Sequence, residues 1–386
     1  MSVVPLKALP IEQLRERSST KWRTYPPDVL PMFVAETDFA LAPAITAVLS
    51  RAVELGDTGY TPPDPGIRDA YVGFASRRFG WDVDPEGLRS TGDVVMGIVE
   101  LLRRSIEPGD RVIVTPPVYP PFYDAIPEAG GVVERVPLVR GGAGYELDLD
   151  GIEAALREGA RAVLLCSPHN PTGTVHSRAS LARLAEMAEA AGAVVVSDEI
   201  HAPLTQPGTA FTPFLDASDA AARVGFVVTS ASKAFNLAGL KCALMIAGGE
   251  RHRQVLRDLP AEVEWRTGLF GALAGVAAFS PESDAWLDSL LATLDINRRL
   301  LGELLAEHVP GARYDMPAAG YLAWVDLSRV GLGDNPAAKI LREARVALHF
   351  GPAFGIEGRG HVRFNLGCAP EVLTEAVVKI GALIEK

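Results

Sequence analysis

Cysteine and histidine are scarce in this chain of 386 residues, which contains three cysteines and seven histidines. Their spacings match no arrangement of metal ligands, and we therefore expect no metal site. The cysteines are Cys166, Cys242 and Cys368, an odd number at wide intervals. The first two lie in apolar stretches, where a buried and unreactive thiol is the expected state.

Long hydrophobic runs and an excess of basic residues are also missing. The longest apolar run, Gly268 to Phe279, is shorter than the roughly 20 residues that a membrane helix needs. The N-terminus has no apolar signal core, so we expect a soluble, cytoplasmic protein without a membrane partner. The net charge of −11 argues against nucleic acid as a partner.

Short apolar runs rich in Val, Ile and Leu are present through the middle of the chain. They are continuous rather than alternating, which is typical of strands buried on both faces. The runs are RVIVT from Arg111, RAVLLC from Arg161, AVVVS from Ala193, GFVVTS from Gly225 and CALMIA from Cys242. A helical pattern over Arg178–Ala191, ending at Gly192, separates two of them. The alternation predicts a large α/β domain with a mostly parallel central sheet over residues 44–281.

The last hundred residues have a different pattern. A long amphipathic segment, Trp286–His308, precedes a strand-like stretch at Tyr321, a second helix at Asn335–Ala344, another strand at His361 and a C-terminal helix. This order predicts a smaller α+β domain over residues 282–386. Residues 1–43 are too few for a domain, and we expect them to form an arm that packs on the small domain.

Polar motifs follow three of the predicted strands at the point where each strand ends. They carry Asn170 after the first strand, Asp198 after the second, and Ser230, Ser232 and Lys233 after the third. Ligands of parallel sheets bind beyond the carboxyl ends of the strands, and so we expect these side chains to meet at one edge.

A fourth element, STGDVV at Ser90–Val95, opens a strongly apolar helix whose free amides form a natural phosphate site. A lysine, an aspartate, an asparagine and a phosphate site together match the needs of pyridoxal 5'-phosphate (PLP). Lys233 supplies the Schiff-base amine, Asp198 keeps the ring nitrogen protonated, and Asn170 donates to the phenolate oxygen. The phosphate is assigned to Ser230, Ser232 and the amides near Asp93 and Val94.

The motifs NPTG (Asn170–Gly173), SDEIH (Ser197–His201) and SASKAFNLAGL (Ser230–Leu240) occur in this order. With them the chain resembles, over nearly its whole length, the fold-type I PLP enzymes of the aspartate aminotransferase superfamily. Three more segments are similar to the cystathionine β-lyase, or C–S lyase, branch: PMFVAETDFA (Pro31–Ala40), PPVYPPFYDAI (Pro116–Ile126) and GRGHVRFNLGCAP (Gly358–Pro370).

The resemblance implies roles for further residues. Tyr119 would stack on the PLP ring and join Lys233 as a catalytic residue, and Tyr60 would reach the phosphate of a neighbouring subunit in a homodimer. Arg363 would bind the substrate carboxylate with two hydrogen bonds, and Asn170 would also contribute to substrate binding. Lys241 stands where aminotransferases usually carry a phosphate-binding arginine.

Two reactions of an amino-acid substrate remain open at this point. In both, Lys233 removes the Cα proton and Asp198 stabilises the resulting negative charge through the cofactor ring. Loss of a thiolate from Cβ gives pyruvate and ammonia, whereas return of the proton to the cofactor gives transamination. The branch resemblance favours the C–S lyase; the alternatives are an aminotransferase and a catalytically silent regulatory protein of the same fold.

Overall fold

The computed structural model describes residues 3–63, 65–142 and 144–384. In this part of the chain the strands are β1 Leu30–Pro31, β2 Leu88–Thr91, β3 Arg111–Val114, β4 Val132–Arg135, β5 Val139–Gly141, β6 Gly144–Glu146, β7 Ala162–Cys166, β8 Val194–Asp198, β9 Gly225–Thr229, β10 Ala243–Ala247, β11 Arg313–Tyr314, β12 Leu322–Asp326, β13 Val346–Ala347, β14 His349–Phe350 and β15 His361–Asn365.

The helices of the same part are α1 Ile11–Leu14, α2 Thr20–Arg23, α3 Pro43–Leu55, α4 Ile67–Phe79, α5 Val94–Ser105, α6 Phe122–Glu128, α7 Leu149–Arg157, α8 Arg178–Ala191, α9 Asp219–Val224, α10 Glu250–Arg257, α11 Ala261–Trp265, α12 Leu269–Phe279, α13 Asp284–His308, α14 Pro336–Ala344 and α15 Pro370–Gly381. None of these described helices is both long enough and apolar enough to cross a lipid bilayer.

Within the described residues, the central sheet has seven strands in the order β2-β10-β9-β8-β7-β3-β4. The pairs from β9 to β4 are parallel, and β10 runs antiparallel to both of its neighbours. Strands β7 to β10 are fully buried because helices cover both faces, which is why their sequences are continuously apolar. The predicted α/β architecture with a mostly parallel sheet is therefore confirmed.

Five of the seven strands were predicted from apolar runs, whereas β2 and β4 were not. Strand β2 has the sequence LRST, and β4 is a half-exposed edge strand with the sequence VVER. Neither sequence contains a run of buried apolar residues. Hydrophobic pattern alone therefore gave no signal for these two strands.

Helix termini follow the local capping chemistry. Helix α8 begins after Ser177, whose Oγ accepts a hydrogen bond from the Ser180 amide at 3.1 Å, and ends at Gly192 with a left-handed φ of 63°. Helix α5 begins after Asp93, whose Oδ1 accepts from the Met96 amide at 2.9 Å. The cap at Asp93 fixes the end of α5 that faces the carboxyl edge of the sheet, and Gly192 fixes the end of α8 before β8.

In the described part of the chain, a second sheet has four antiparallel strands in the order β11-β12-β15-β14. Helices α13 and α15 pack together beside it. Strand β15 lies in the middle and pairs with β14, so that His349 stands opposite Arg363. The sheet thus holds Arg363, which the sequence predicts to bind the substrate carboxylate, on a buried strand that has a neighbouring strand on each side.

The N-terminal segment is fastened to the C-terminal part of the chain. Strand β1 pairs with β13 in parallel, and Arg345 Nε contacts Asp28 Oδ2 at 2.7 Å. These contacts join residues 28–31 to residues 345–347. The three-part division of the chain stays a prediction, and its outer ends at residues 1–2 and 385–386 lie outside the described residues.

Candidate active site

A cavity of about 630 Å³ opens at the carboxyl ends of the central strands β7, β8 and β9. Nine of the residues singled out from the sequence line it together: Asp93, Val94, Tyr119, Asn170, Asp198, Ser232, Lys233, Lys241 and Arg363. The motifs converge because they follow neighbouring parallel strands, which end at the same edge of the sheet.

Asp198 is the last residue of β8 and only 3% exposed. Burial raises the pKa of its carboxyl to about 7, while the Ile200 amide, donating to Oδ1 at 3.1 Å, and the Lys233 cation act in the opposite direction. Its Oδ2 has no hydrogen-bond partner within the described residues. The carboxyl is therefore prepared to stabilise a cationic group in the cavity.

Lys233 presents its amine to the same cavity. Burial lowers the pKa of this amine and the Arg363 cation lowers it further, whereas the Asp198 carboxylate opposes both effects. A lysine whose pKa is lowered towards neutrality has a larger fraction of neutral amine, which is the form that acts as nucleophile or general base.

Arg363 is a buried cation without an acidic partner in the described chain. Its Nη1 donates to Asn170 Oδ1 and its Nη2 to the Phe33 carbonyl, both at 3.0 Å, and the side chain is 3% exposed. Burial lowers its pKa to about 10, which leaves the guanidinium charged at neutral pH. Because buried charges are normally paired, the cavity provides a binding position for an external anion.

Asn170 connects this cation to the sheet. Its backbone amide donates to Cys166 Sγ at 3.3 Å, and its side-chain oxygen accepts from Arg363. The side-chain Nδ2 has no partner in the described part of the chain and remains available as a donor. Cys166 itself is buried, and burial raises the pKa of its thiol well above the ordinary value, so the thiol stays protonated.

The N-terminus of α5 forms another part of the cavity lining. Asp93 caps the helix through Oδ1, and its Oδ2 contacts the Lys241 ammonium at 3.0 Å. Lys241 has a left-handed φ of 60° and remains more than half exposed. A helix N-terminus and a nearby lysine are both favourable surroundings for an anionic phosphate.

Tyr119 forms one wall of the cavity and packs edge-on against Phe122, with ring centroids 5.8 Å apart. Burial, together with the Asp198 carboxylate, raises the pKa of its phenol to about 12. The phenol is therefore protonated at neutral pH and presents both a ring and a hydrogen-bond donor.

Two of the residues singled out from the sequence do not line the cavity. The Ser230 hydroxyl is buried beneath it, donates to the Cys242 carbonyl at 2.6 Å and lies 2.7 Å from Ser232 Oγ. Tyr60 is fully exposed on the surface. The phosphate roles assigned to Ser230 and Tyr60 stay predictions.

Sequence reasoning missed residues 33–35 as part of the cavity lining and the backbone of residues 33–37 as a hydrogen-bonding segment. Its carbonyl oxygens accept hydrogen bonds from side chains distant in sequence: Phe33 O from Arg363, Val34 O and Glu36 O from Asn365, Ala35 O from Tyr321, and Thr37 O from Asn236. The contact partners are 199 to 331 residues apart, so no local pattern announces them.

Two histidines of the cavity lining, His201 and His349, were also given no role there. Burial and the Arg363 cation, together with Lys233 in the case of His201, lower the pKa of both imidazoles to about 3. Both rings are therefore neutral at physiological pH. His201 ends the SDEIH motif, which gave it no role in the cavity, and His349 lies in none of the motifs quoted above.

Residues 36–380 match the sequence model of the family described as aminotransferase class I and II, and the chain belongs to this family. The match covers most of the chain and confirms the resemblance seen in the motifs.

Among its relatives is a putative cystathionine beta-lyase of Mycobacterium leprae, 43% identical, with 99% of this chain and 98% of the relative covered. A cystathionine beta-lyase of Bacillus subtilis is 34% identical over 92% of this chain and 93% of its own length. A crystal structure of a putative PLP-dependent beta-cystathionase from Corynebacterium diphtheriae superposes with a TM-score of 0.94 at 32% identity, and 99% of each chain is covered.

Proposed function

We propose that this protein is a PLP-dependent carbon–sulfur β-lyase that cleaves cystathionine or related cysteine S-conjugates to a thiol, pyruvate and ammonia. The observation that carries the proposal is the meeting of Lys233, Asp198 and Arg363 in one cavity. Full-length relatives named cystathionine beta-lyase, 34–43% identical to this chain, support the choice of reaction.

The residues present fit the cofactor. Asp198 offers an unpartnered carboxyl oxygen to a protonated ring nitrogen, Asn170 offers a free amide donor, and Tyr119 offers an aromatic face. The α5 N-terminus with Lys241 suits the phosphate. When bound, PLP supplies an aldehyde that reacts with amines and a ring that accepts negative charge from the substrate Cα.

The chain's own groups account for substrate orientation. The Arg363 guanidinium has five N–H groups, of which Asn170 and Phe33 take two, so that donors remain for both oxygens of a substrate carboxylate. Binding there removes the unpaired charge from the buried cation. The substrate Cα is thereby held near Lys233 at the floor of the cavity.

Proton transfer is assigned to Lys233. Its lowered pKa favours the neutral amine, which accepts the Cα proton and returns a proton to the leaving group or the product. Asp198 stabilises the positive charge on the cofactor ring throughout, because its carboxylate lies buried where the electrostatic interaction is strong. The Tyr119 phenol stays protonated and keeps its hydrogen-bond donor.

Incubation of the PLP-loaded protein with L-cystathionine is expected to release pyruvate, ammonia and thiol in equal amounts. The three products are measured together, with and without a keto acid as amino acceptor. Turnover that depends on the keto acid, without pyruvate release, would replace the lyase by an aminotransferase. A cofactor spectrum that responds to amino acids without any consumption would indicate the silent regulatory alternative.

We further propose a homodimer in which Tyr60 reaches the phosphate of the neighbouring subunit. Tyr60 is fully exposed, and Leu55 and Trp265 also present large apolar side chains to solvent. Such exposed residues support an interface. The cytoplasmic location expected from the sequence stays a prediction.

Light scattering after size-exclusion chromatography is expected to give twice the 41.1 kDa mass of one chain. The variant Tyr60→Phe is expected to bind PLP at least about tenfold more weakly by equilibrium dialysis, because one hydrogen bond to a charged group is lost. A monomer with full activity, or an unchanged PLP affinity in this variant, would refute the role of Tyr60.

A further inference from the structure

Two nitrogen atoms at the inner wall of the cavity lack hydrogen-bond partners although they are buried. They are Nε of Arg363 and Nδ1 of His349, and neither has a partner among the described residues. The other two nitrogens of the same guanidinium are engaged by Asn170 and by the Phe33 carbonyl. A buried donor without an acceptor costs about 1–3 kcal/mol, so these two positions call for an explanation.

The two residues are neighbours. Strands β14 and β15 pair antiparallel in a register that sets His349 directly opposite Arg363. Directly opposite residues of an antiparallel pair have their Cβ atoms about 4.5–5.5 Å apart, which is within reach of two long side chains.

Both side chains also contact the same aromatic ring. The Arg363 guanidinium lies over the ring of Phe354 at 5.0 Å from its centroid, and the His349 ring packs edge-on against it at 4.8 Å. Phe354 is fully buried, which fixes this ring between the two polar groups. The imidazole and the guanidinium are therefore confined to one small region.

Their hydrogen-bonding capacities are complementary. Arg363 Nε carries a hydrogen and can only donate, whereas a neutral imidazole has one nitrogen that can only accept. Burial and the Arg363 cation lower the pKa of His349 to about 3, so the ring is neutral throughout the working pH range. The unpartnered donor and the unpartnered acceptor therefore match.

We infer that His349 is a positioning residue for substrate recognition: its Nδ1 accepts the Nε–H of Arg363 when a substrate carboxylate draws the guanidinium into place. The inference rests on the proposed function, because it assigns the anion at Arg363 to an amino-acid substrate. With Nε–H directed to His349, one hydrogen on Nη1 and one on Nη2 remain for the two carboxylate oxygens. This arrangement fixes the orientation of the fork and selects substrates with an α-carboxylate over simple amines.

The test compares two probes that differ only in the carboxylate. L-alanine and ethylamine are each titrated into the PLP-loaded protein while the visible spectrum is recorded. In His349→Phe, which keeps an aromatic ring and removes the acceptor, the dissociation constant for L-alanine is expected to rise about tenfold. The dissociation constant for ethylamine is expected to change less than twofold.

Two further variants isolate the role of the acceptor. His349→Asn places an oxygen acceptor close to the position of Nδ1 and is expected to keep the affinity for L-alanine within about threefold of the wild type. His361→Phe is the matched control, because His361 lies on β15 with its ring stacked on Trp324 outside the cavity. It is expected to bind both probes normally.

The outcomes separate the inference from the proposed function. Equal weakening of both probes in His349→Phe would show a structural role and overturn the inference, as would unchanged binding of L-alanine. Weak binding of L-alanine by His349→Asn would also overturn it. A wild-type protein whose spectrum responds to neither probe would instead refute the proposed function itself.

Discussion

Lys233→Ala is expected to lose at least about 10⁴-fold in kcat for β-elimination and to retain no cofactor colour after gel filtration. The variant removes the amine that we propose both binds the cofactor covalently and accepts the Cα proton, and base catalysis alone contributes about 10²–10⁴-fold. Among the lysines of the described chain, only Lys233 and Lys241 line the cavity, and Lys241 is paired with Asp93.

The measurement pairs steady-state kinetics with the visible absorbance of protein that has been loaded with PLP and freed of excess cofactor. Lys379→Ala is the matched control, because Lys379 lies on the surface of α15 and pairs with Glu375. It is expected to keep the wild-type rate and colour. Lys233→Ala that remains coloured and active after gel filtration would contradict the assignment of the covalent amine.

Sequence reasoning located most of this cavity for a simple physical reason. The residues Asn170, Asp198 and Lys233 each follow a strand that is recognisable by its continuous apolar sequence. Parallel strands of one sheet end at one edge, and β7, β8 and β9 are neighbours in the sheet. Local pattern and sheet geometry together therefore bring the three motifs into one place.

The contacts between distant segments were beyond such reasoning. Arg363 and Phe33 are 330 residues apart, and Asn236 and Thr37 are 199 apart. Neither pair has a local signature, because the hydrogen bonds join side chains to backbone carbonyls that any residue type could supply. Only the three-dimensional arrangement shows that residues 33–35 line the cavity.

The side-chain directions of the two serines in SASK were also beyond prediction from the sequence. Ser230 and Ser232 are two residues apart and chemically equal, and the sequence gave both the same phosphate role. In the structure Ser232 lines the cavity, whereas Ser230 turns beneath it and donates to the Cys242 carbonyl. The direction of a side chain in a turn depends on backbone dihedral angles that residue type does not determine.

The segment of residues 33–37 also connects Arg363 to the turn that carries Lys233. Asn236, three residues after Lys233, accepts from the Thr37 amide at 3.0 Å and donates to the Thr37 carbonyl at 3.2 Å. Arg363 holds the other end of the same segment through the Phe33 carbonyl. Arg363 and the turn that carries Lys233 are therefore both hydrogen-bonded to one short segment, which limits their relative movement.

Asp198→Asn is expected to change stability and activity in opposite directions. In the folded, cofactor-free protein burial raises the pKa of Asp198 from an ordinary value of 3.8 to about 7. The folded carboxyl holds its proton more tightly than the unfolded one, so its contribution to stability is fully present below pH 4 and is lost as pH rises through 7. A pKa shift of about three units corresponds to about 4 kcal/mol in the free energy of unfolding.

Urea unfolding of the cofactor-free protein between pH 4.5 and 8.5, at one protein concentration, measures this effect. The stability of Asp198→Asn relative to the wild type is expected to increase with pH, because asparagine has no proton to lose. Glu199 remains in both proteins; burial is the largest cause of its raised pKa of about 8, and only the smaller contribution of the Asp198 charge to that pKa enters the difference. Asp258→Asn, a surface change, is the control and is expected to leave the pH dependence unaltered.

Activity is expected to fall in the same variant. An amide cannot neutralise a positive charge on the cofactor ring, and the loss of one buried electrostatic partner of a reacting group costs about 10²–10³-fold in kcat. The cofactor-free variant would thus be the more stable protein at pH 8 and the loaded variant the poorer enzyme. A constant stability difference across the pH range would show that the Asp198 carboxyl carries no buried charge. Full activity in Asp198→Asn would show that this carboxyl does not face the ring nitrogen.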